Sequence, residues 1–265
     1  MEMKRNYDNK VIWITGASSG IGAELARQFE QAGARLVLSA RNVKSLNELK
    51  AKLMHPTKHL VLPLDLAKPD TFIGLVSTVI DEMGGIDVLV NNGGVSQRAN
   101  ARDTAIEVDR EIMEVNYFGP MALTKAALPA LKKNYGQLIV ISSVAGKFGF
   151  HLRSAYSASK HALHGFFESL ALEEKDSLCL TMVCPGKINT SISFNALNAK
   201  GEASQIIDPN HISGMSVEKC VRIILRAARR EKSEVLMGGK EVLAVYIKRY
   251  FPAFFRALMR KQKPS

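Results

Sequence analysis

Short apolar runs alternate with longer amphipathic stretches along most of the chain. Runs such as VIWIT (11–15), LVLS (36–39) and LIVI (138–141) are rich in Val, Ile and Leu and barely alternate, as strands buried on both faces require. The pattern predicts strands over 10–15, 35–39, 59–63, 87–90, 137–142, 178–183 and 234–237. Between them it predicts helices over 21–31, 43–54, 70–83, 110–131, 155–174 and 217–230. Alternation of this kind gives an α/β fold: one domain with a Rossmann-type doubly wound parallel sheet of about seven strands, and helices on both faces. Ligands of such sheets bind at the carboxyl ends of the strands. Only 187–214 breaks the rhythm; it reads as a substrate lid or, with equal weight, as a plain insertion.

Composition narrows the class. A chain of 265 residues, 46 % of them hydrophobic, has ample material for one large core. Three cysteines without a spacing pattern fit a reducing compartment. The opening MEMKRNYDNK holds no apolar stretch, and no run approaches bilayer-spanning length, so a soluble, cytoplasmic protein is expected. The net charge of +11 sits at one end: residues 219–265 carry 13 Lys and Arg against three Asp and Glu, leaving 23 against 22 elsewhere. A nearly neutral body argues against nucleic acid as a partner. His161 and His164 share a helix face but have no third ligand at a recognisable spacing, so no metal is expected.

The first strand runs into TGASSGIG, and the glycines there have a chemical reading. Gly16, Gly20 and Gly22 permit a sharp turn and close backbone approach, while Ser18 and Ser19 add hydroxyl donors beside Ile21 at a helix amino end. That is a site for the pyrophosphate of a dinucleotide. The second strand ends in Ser39, Ala40 and Arg41, with no carboxylate. An acidic residue there would bind a free ribose 2′-hydroxyl, whereas an arginine accommodates a 2′-phosphate, so NADP(H) is favoured.

TGASSGIG (15–22), NNGG (91–94), ISS (141–143), YSASK (156–160) and PGKINT (185–190) stand in an order and spacing that resembles the short-chain dehydrogenase/reductase family. LVLSAR, LPLDL and NNGGVSQR are further similar to its branch containing dehydrogenase/reductase member 7 and the 11β-hydroxysteroid dehydrogenases. The resemblance implies a catalytic set of Asn116, Ser143, Tyr156 and Lys160. Ser143 would orient the substrate, Asn116 would support a water relay to the lysine, and Lys160 would also hold the nicotinamide ribose. It implies cofactor contacts from Asp65 and Leu66 at the adenine, and from Asn92, Gly93 and Gly94 at its ribose. Ile188 would meet the nicotinamide carboxamide through its backbone, and Thr190 the amide or the pyrophosphate. Gly93 departs from the family's usual alanine.

The residues support that chemistry. Tyr156 and Lys160 lie four apart, on one helix face, where an ammonium group favours tyrosinate and draws the phenol down from its ordinary value of about 10. A phenol so tuned can act as general acid and base. Asn116 within a helical pattern suggests a kink. The expectation is an NADP(H)-dependent oxidoreductase interconverting a carbonyl and a secondary alcohol. The alternatives are an NAD-linked polyol or sugar dehydrogenase, or a regulatory protein that senses NADP(H) without turnover. Phe148, Phe150, Leu152 and Phe194 suggest an apolar substrate, whereas Arg98, Arg153 and Lys187 equally suit an acid.

Residues 1–240 would then form the dinucleotide-binding and catalytic domain, and the family resemblance implies a homo-oligomer. Residues 241–265 form a basic amphipathic tail, with Ile247, Phe251, Phe254 and Leu258 on one face and Arg249, Arg256 and Arg260 on another. It reads equally as a helix in a membrane interface, giving peripheral membrane contact, or as a helix packed on its own or a neighbouring subunit.

Overall fold

The computed structural model describes residues 5–206 and 214–261. Residues 207–213 of the aperiodic stretch and 262–265 of the tail lie outside the described residues. All seven predicted strands form, as β1 (Val11–Thr15), β2 (Arg35–Ser39), β3 (Leu60–Val61), β4 (Val88–Asn91), β5 (Gln137–Ile141), β6 (Cys179–Pro185) and β7 (Glu234–Met237). They make one parallel sheet in the order β3-β2-β1-β4-β5-β6-β7. The strand order reverses between β1 and β4, which opens a crevice at their carboxyl ends. β3 is shorter than the predicted 59–63.

Successive strand residues point to opposite faces, and each face has its own core. Ile12, Ile14, Leu36 and Leu38 pack with α1 (Gly20–Gln31), α2 (Val43–Ala51) and α7 (Val217–Arg229). Val11, Trp13, Val37 and Leu138 pack with α3 (Phe72–Met83), α5 (Gly119–Lys132) and α6 (Ser154–Glu173). Burial on both sides explains why the strands read as unbroken apolar runs.

The predicted helix 110–131 is two helices, α4 (Ile106–Met113) and α5, joined by a π-helical turn, Glu114–Phe118. Gly119 donates its N–H to the carbonyl of Glu114, five residues back. Pro120 has no N–H to give the carbonyl of Asn116, so the regular α ladder cannot continue there. This is the kink expected at Asn116.

After β7 the chain forms α8 (Lys240–Tyr250) and α9 (Pro252–Arg260), which break at Pro252. The described part of 187–214 is tied down at Leu197, which bridges to Gln97 and exchanges backbone hydrogen bonds with Ser96 and Arg98.

Candidate active site

The carboxyl ends of the strands open into a cleft of about 630 Å³. Gly16, Ser18, Ser19, Gly20, Ile21 and Arg41 line one end, where Thr190 packs against Gly20; Asp65, Leu66, Asn92, Gly93 and Gly94 line the middle, and Ser143, Tyr156, Lys160 and Ile188 the other. Two predicted site residues stand behind the wall. A Cβ on Gly22 would sit 2.2 Å from the Gly16 carbonyl oxygen, so this glycine lets α1 press onto the turn without reaching the cleft. Asn116 is fully buried.

The turn is built as a phosphate cradle. Gly16 and Gly20 adopt φ of 65° and 53°, which side chains resist. Ser19 makes no side-chain cap on α1, and the helix has no acidic residue in its first turn, so its positive end faces the cleft. Asn92 braces the turn by donating from Nδ2 to the carbonyls of Thr15 (2.9 Å) and Gly16 (3.1 Å). The Thr15 hydroxyl accepts the N–H groups of Asn92 and Gly93. A Cβ on Gly93 would lie 2.7 Å from Leu66 Cδ1: the leucine fills the space that an alanine would need. Asp65 accepts the N–H of Ala67, which fixes the turn after β3. A dinucleotide fits these residues, with its phosphates at the α1 end and its reactive end near Tyr156.

Arg41 is exposed at the cleft beyond β2. The Ser39 hydroxyl is committed, accepting from Trp13 Nε1 (2.8 Å) and donating to the Leu62 carbonyl (2.7 Å). The polar side chains after β2 at the cleft are therefore Arg41 and Asn42, of which Asn42 caps α2.

Tyr156 and Lys160 rise from the first two turns of α6, both buried. Burial raises the Tyr156 phenol above its ordinary value, outweighing the nearby Ser143 hydroxyl and the field of Arg153, which pull it down. The sequence reading expected the opposite direction, with the Lys160 ammonium drawing the phenol down. The Lys160 ammonium sits 5.7 Å from the centroid of the Tyr156 ring and donates to the Ile141 carbonyl at 3.0 Å. Burial lowers its own pKa to about 8.

Ser142 and Ser143 both border the cleft, but the Ser142 hydroxyl is engaged by His164 Nε2 at 3.2 Å, while Ser143 Oγ accepts the Ala145 N–H at 3.1 Å. Asn116 accepts the Val95 N–H at 2.8 Å and donates to the Val95 carbonyl and to Ser159 Oγ. Its side chain thus fastens the loop after β4 to α6.

Gln97 and Glu241 escape the sequence reading, and Arg153, read there as suiting an acid, has a structural tie as well. Gln97, wholly buried, accepts the N–H groups of Ala155 (2.9 Å) and Tyr156 (3.3 Å) and so caps α6 at Tyr156. Arg153 bonds Ser96 Oγ and the Gln97 carbonyl while facing the cleft. Glu241, at the start of α8, lines the cleft and accepts the Lys187 N–H at 2.8 Å, in space left by Gly186 and Gly238. The backbone donors around it hold its carboxyl below the ordinary value despite burial. Among the four predicted apolar wall residues, Phe150 lines the cleft; Phe148 is buried behind it, and Leu152 and Phe194 lie off it. Arg98 also lies off the lining, which Arg153 and Lys187 join.

Comparison with known proteins agrees with this geometry. A family model for short chain dehydrogenase matches residues 10–200. Dehydrogenase/reductase SDR family member 7B of Mus musculus is 40 % identical over 269 residues, covering 97 % of this chain and 83 % of that one. A short chain dehydrogenase from Burkholderia cenocepacia J2315, solved with NADP, superposes with a TM-score of 0.81 at 24 % identity, covering 97 % of this chain and all of its own. A short chain dehydrogenase/reductase from Burkholderia phymatum, solved with NAD, gives 0.83 at 19 % identity over 98 % of both chains. The chain belongs to the short-chain dehydrogenase/reductase family, on the branch of dehydrogenase/reductase member 7, and is an oxidoreductase of that family.

Proposed function

We propose that the protein is an NADP(H)-dependent oxidoreductase that interconverts a carbonyl and a secondary alcohol. The observation that carries this reading is that Ser143 and Tyr156 line one end of a cleft, with Lys160 one turn along α6, while the other end is a phosphate cradle. NADP(H), when bound, supplies or accepts the hydride. Tyr156 donates the proton to the carbonyl oxygen or takes it from the alcohol. The Ser143 hydroxyl donates to the same oxygen as charge develops there. Lys160, with its pKa near 8, carries a proton that a modest change in surroundings can shift. A protein that only senses nucleotide has no use for this set.

Arg41 supports the choice of NADP(H). No carboxylate stands between β2 and α2, and among the described residues Arg41 makes no ion pair, at the place where a ribose 2′-phosphate would lie. Val95, Val144, Phe150 and Leu197 give the substrate end an apolar surface beside the polar His151, Arg153 and Asn195, which suits a carbonyl carried on a hydrophobic body. Titration with NADPH and NADH, followed by a panel of carbonyls monitored by NADPH absorbance, tests both halves. Arg41→Ala is expected to weaken NADPH by about 1.5–3 kcal/mol and to leave NADH nearly unchanged. Equal losses, or tighter wild-type binding of NADH, would remove the cofactor assignment.

A further inference from the structure

The two C-terminal helices expose apolar surface that the fold does not use. Phe255 is the buried residue of α9, and α8 has none. Phe255 meets Phe148 edge-on at 5.2 Å, and Lys248 Nζ donates to the Lys147 carbonyl at 2.7 Å, which docks the hairpin on the body. Apolar side chains stay exposed at Leu243, Tyr246 and Tyr250 on α8, at Phe251 in the break between the helices, and at Phe254 and Leu258 on α9, all 44–66 % exposed. Leu243, Tyr246 and Tyr250 repeat at i, i+3 and i+7, a stripe along one face of α8, and Phe254 and Leu258 stand four apart on α9. This is the face that an amphipathic helix ordinarily buries.

Charge decides what covers it. Arg249, Arg256, Arg260 and Lys261 are exposed along the same helices. The one acidic residue of α8 and α9, Glu241, is turned inward onto the Lys187 N–H. A second copy of this face would set cation against cation, whereas anionic lipid headgroups would neutralise the cations as the aromatic rings enter the acyl boundary. We infer that the exposed face of α8 and α9 docks on anionic membrane surface, holding the enzyme peripherally with the Phe148–Phe150 side of its cleft near the lipid. Among the described residues no helix is long and apolar enough to cross a membrane, so the attachment is interfacial. The inference does not depend on which nicotinamide cofactor the protein uses.

Co-sedimentation of the full chain with vesicles tests it. The chain should pellet with vesicles of phosphatidylcholine and phosphatidylglycerol, stay in solution with phosphatidylcholine alone, and be released by about 1 M salt, where screening acts within about 3 Å. The variant Phe251→Ser/Phe254→Ser alters exposed side chains only. It should lose binding by on the order of tenfold or more, with unchanged melting temperature and sedimentation coefficient. Arg249→Glu/Arg256→Glu/Arg260→Glu should lose it to a similar degree. Three results would overturn the proposal: a chain that stays in solution with the anionic vesicles, variants that pellet as the wild type does, or a serine variant that breaks a larger assembly into smaller ones. The last would make this face an interface between copies.

Discussion

Lys160 is a buried ammonium whose pKa falls from 10.5 to about 8 in the folded chain. Below pH 8 both states hold the proton and the folded state bears the full cost of burying it. Between about pH 8 and 10.5 the unfolded chain binds more protons, so this cost fades as pH rises. The stability of the wild type relative to Lys160→Met should therefore climb by about 1.4 kcal/mol per pH unit over that window, about 3 kcal/mol in all. Denaturant titrations of both proteins across the window measure it, and taking the difference cancels the opposite trend from the buried thiols, whose pKa values burial raises. A flat difference would show that Lys160 pays no burial cost. Gln97 makes a second residue-scale case. Removing its side chain leaves the N–H groups of Ala155 and Tyr156 without their buried acceptor, so Gln97→Ala should cost about 1–3 kcal/mol in stability and lower kcat more than it raises KM. Circular dichroism melts and steady-state kinetics check both. The placing of Tyr156 and Lys160 on one helix face was legible in their four-residue spacing, and Ser143 entered through the family resemblance. Gln97 and Glu241 were not, because their roles consist of contacts 58 and 54 residues away in sequence.

At the scale of elements, periodicity located the strands because the doubly covered sheet makes each one an apolar run. It failed where regular hydrogen bonding fails. The amphipathic pattern of 110–131 passes straight through the π turn, since periodicity registers faces and not carbonyl partners; the local signal was Pro120, four residues after Asn116. β3 is short because its pairing with β2 involves only two residue pairs, Val37–Leu60 and Leu38–Val61. Glycines inside helices separate packing from propensity. Gly22→Ala forces a Cβ to within 2.2 Å of backbone oxygen, so α1 must shift off the turn. It should cost about 1–3 kcal/mol and weaken nucleotide binding. Gly74→Ala in α3 meets nothing within 4 Å and should stabilise the protein by about 0.5–1 kcal/mol. Thermal melts of the pair test the contrast, which fails if both variants shift in the same direction.

Over the whole molecule, the sheet's reversal between β1 and β4 brings together segments spread from Gly16 to Glu241. The sequence legibly divided a balanced body from a basic end, but it gave no sign that the chain after β7 returns to the cleft through Glu241. That contact needs Gly186 and Gly238 to leave room for a carboxylate, and only the folded chain brings the three together. The central claim is that this assembly is a catalyst in which Tyr156 moves the proton. The most direct measurement compares carbonyl-dependent NADPH oxidation by the wild type and Tyr156→Phe, with NADPH binding measured in parallel. Phenylalanine keeps the ring in its buried place and removes only the hydroxyl. The account predicts turnover lower by at least about 100-fold with NADPH affinity largely retained. A Tyr156→Phe enzyme that reduces the same carbonyl at the wild-type rate would contradict it.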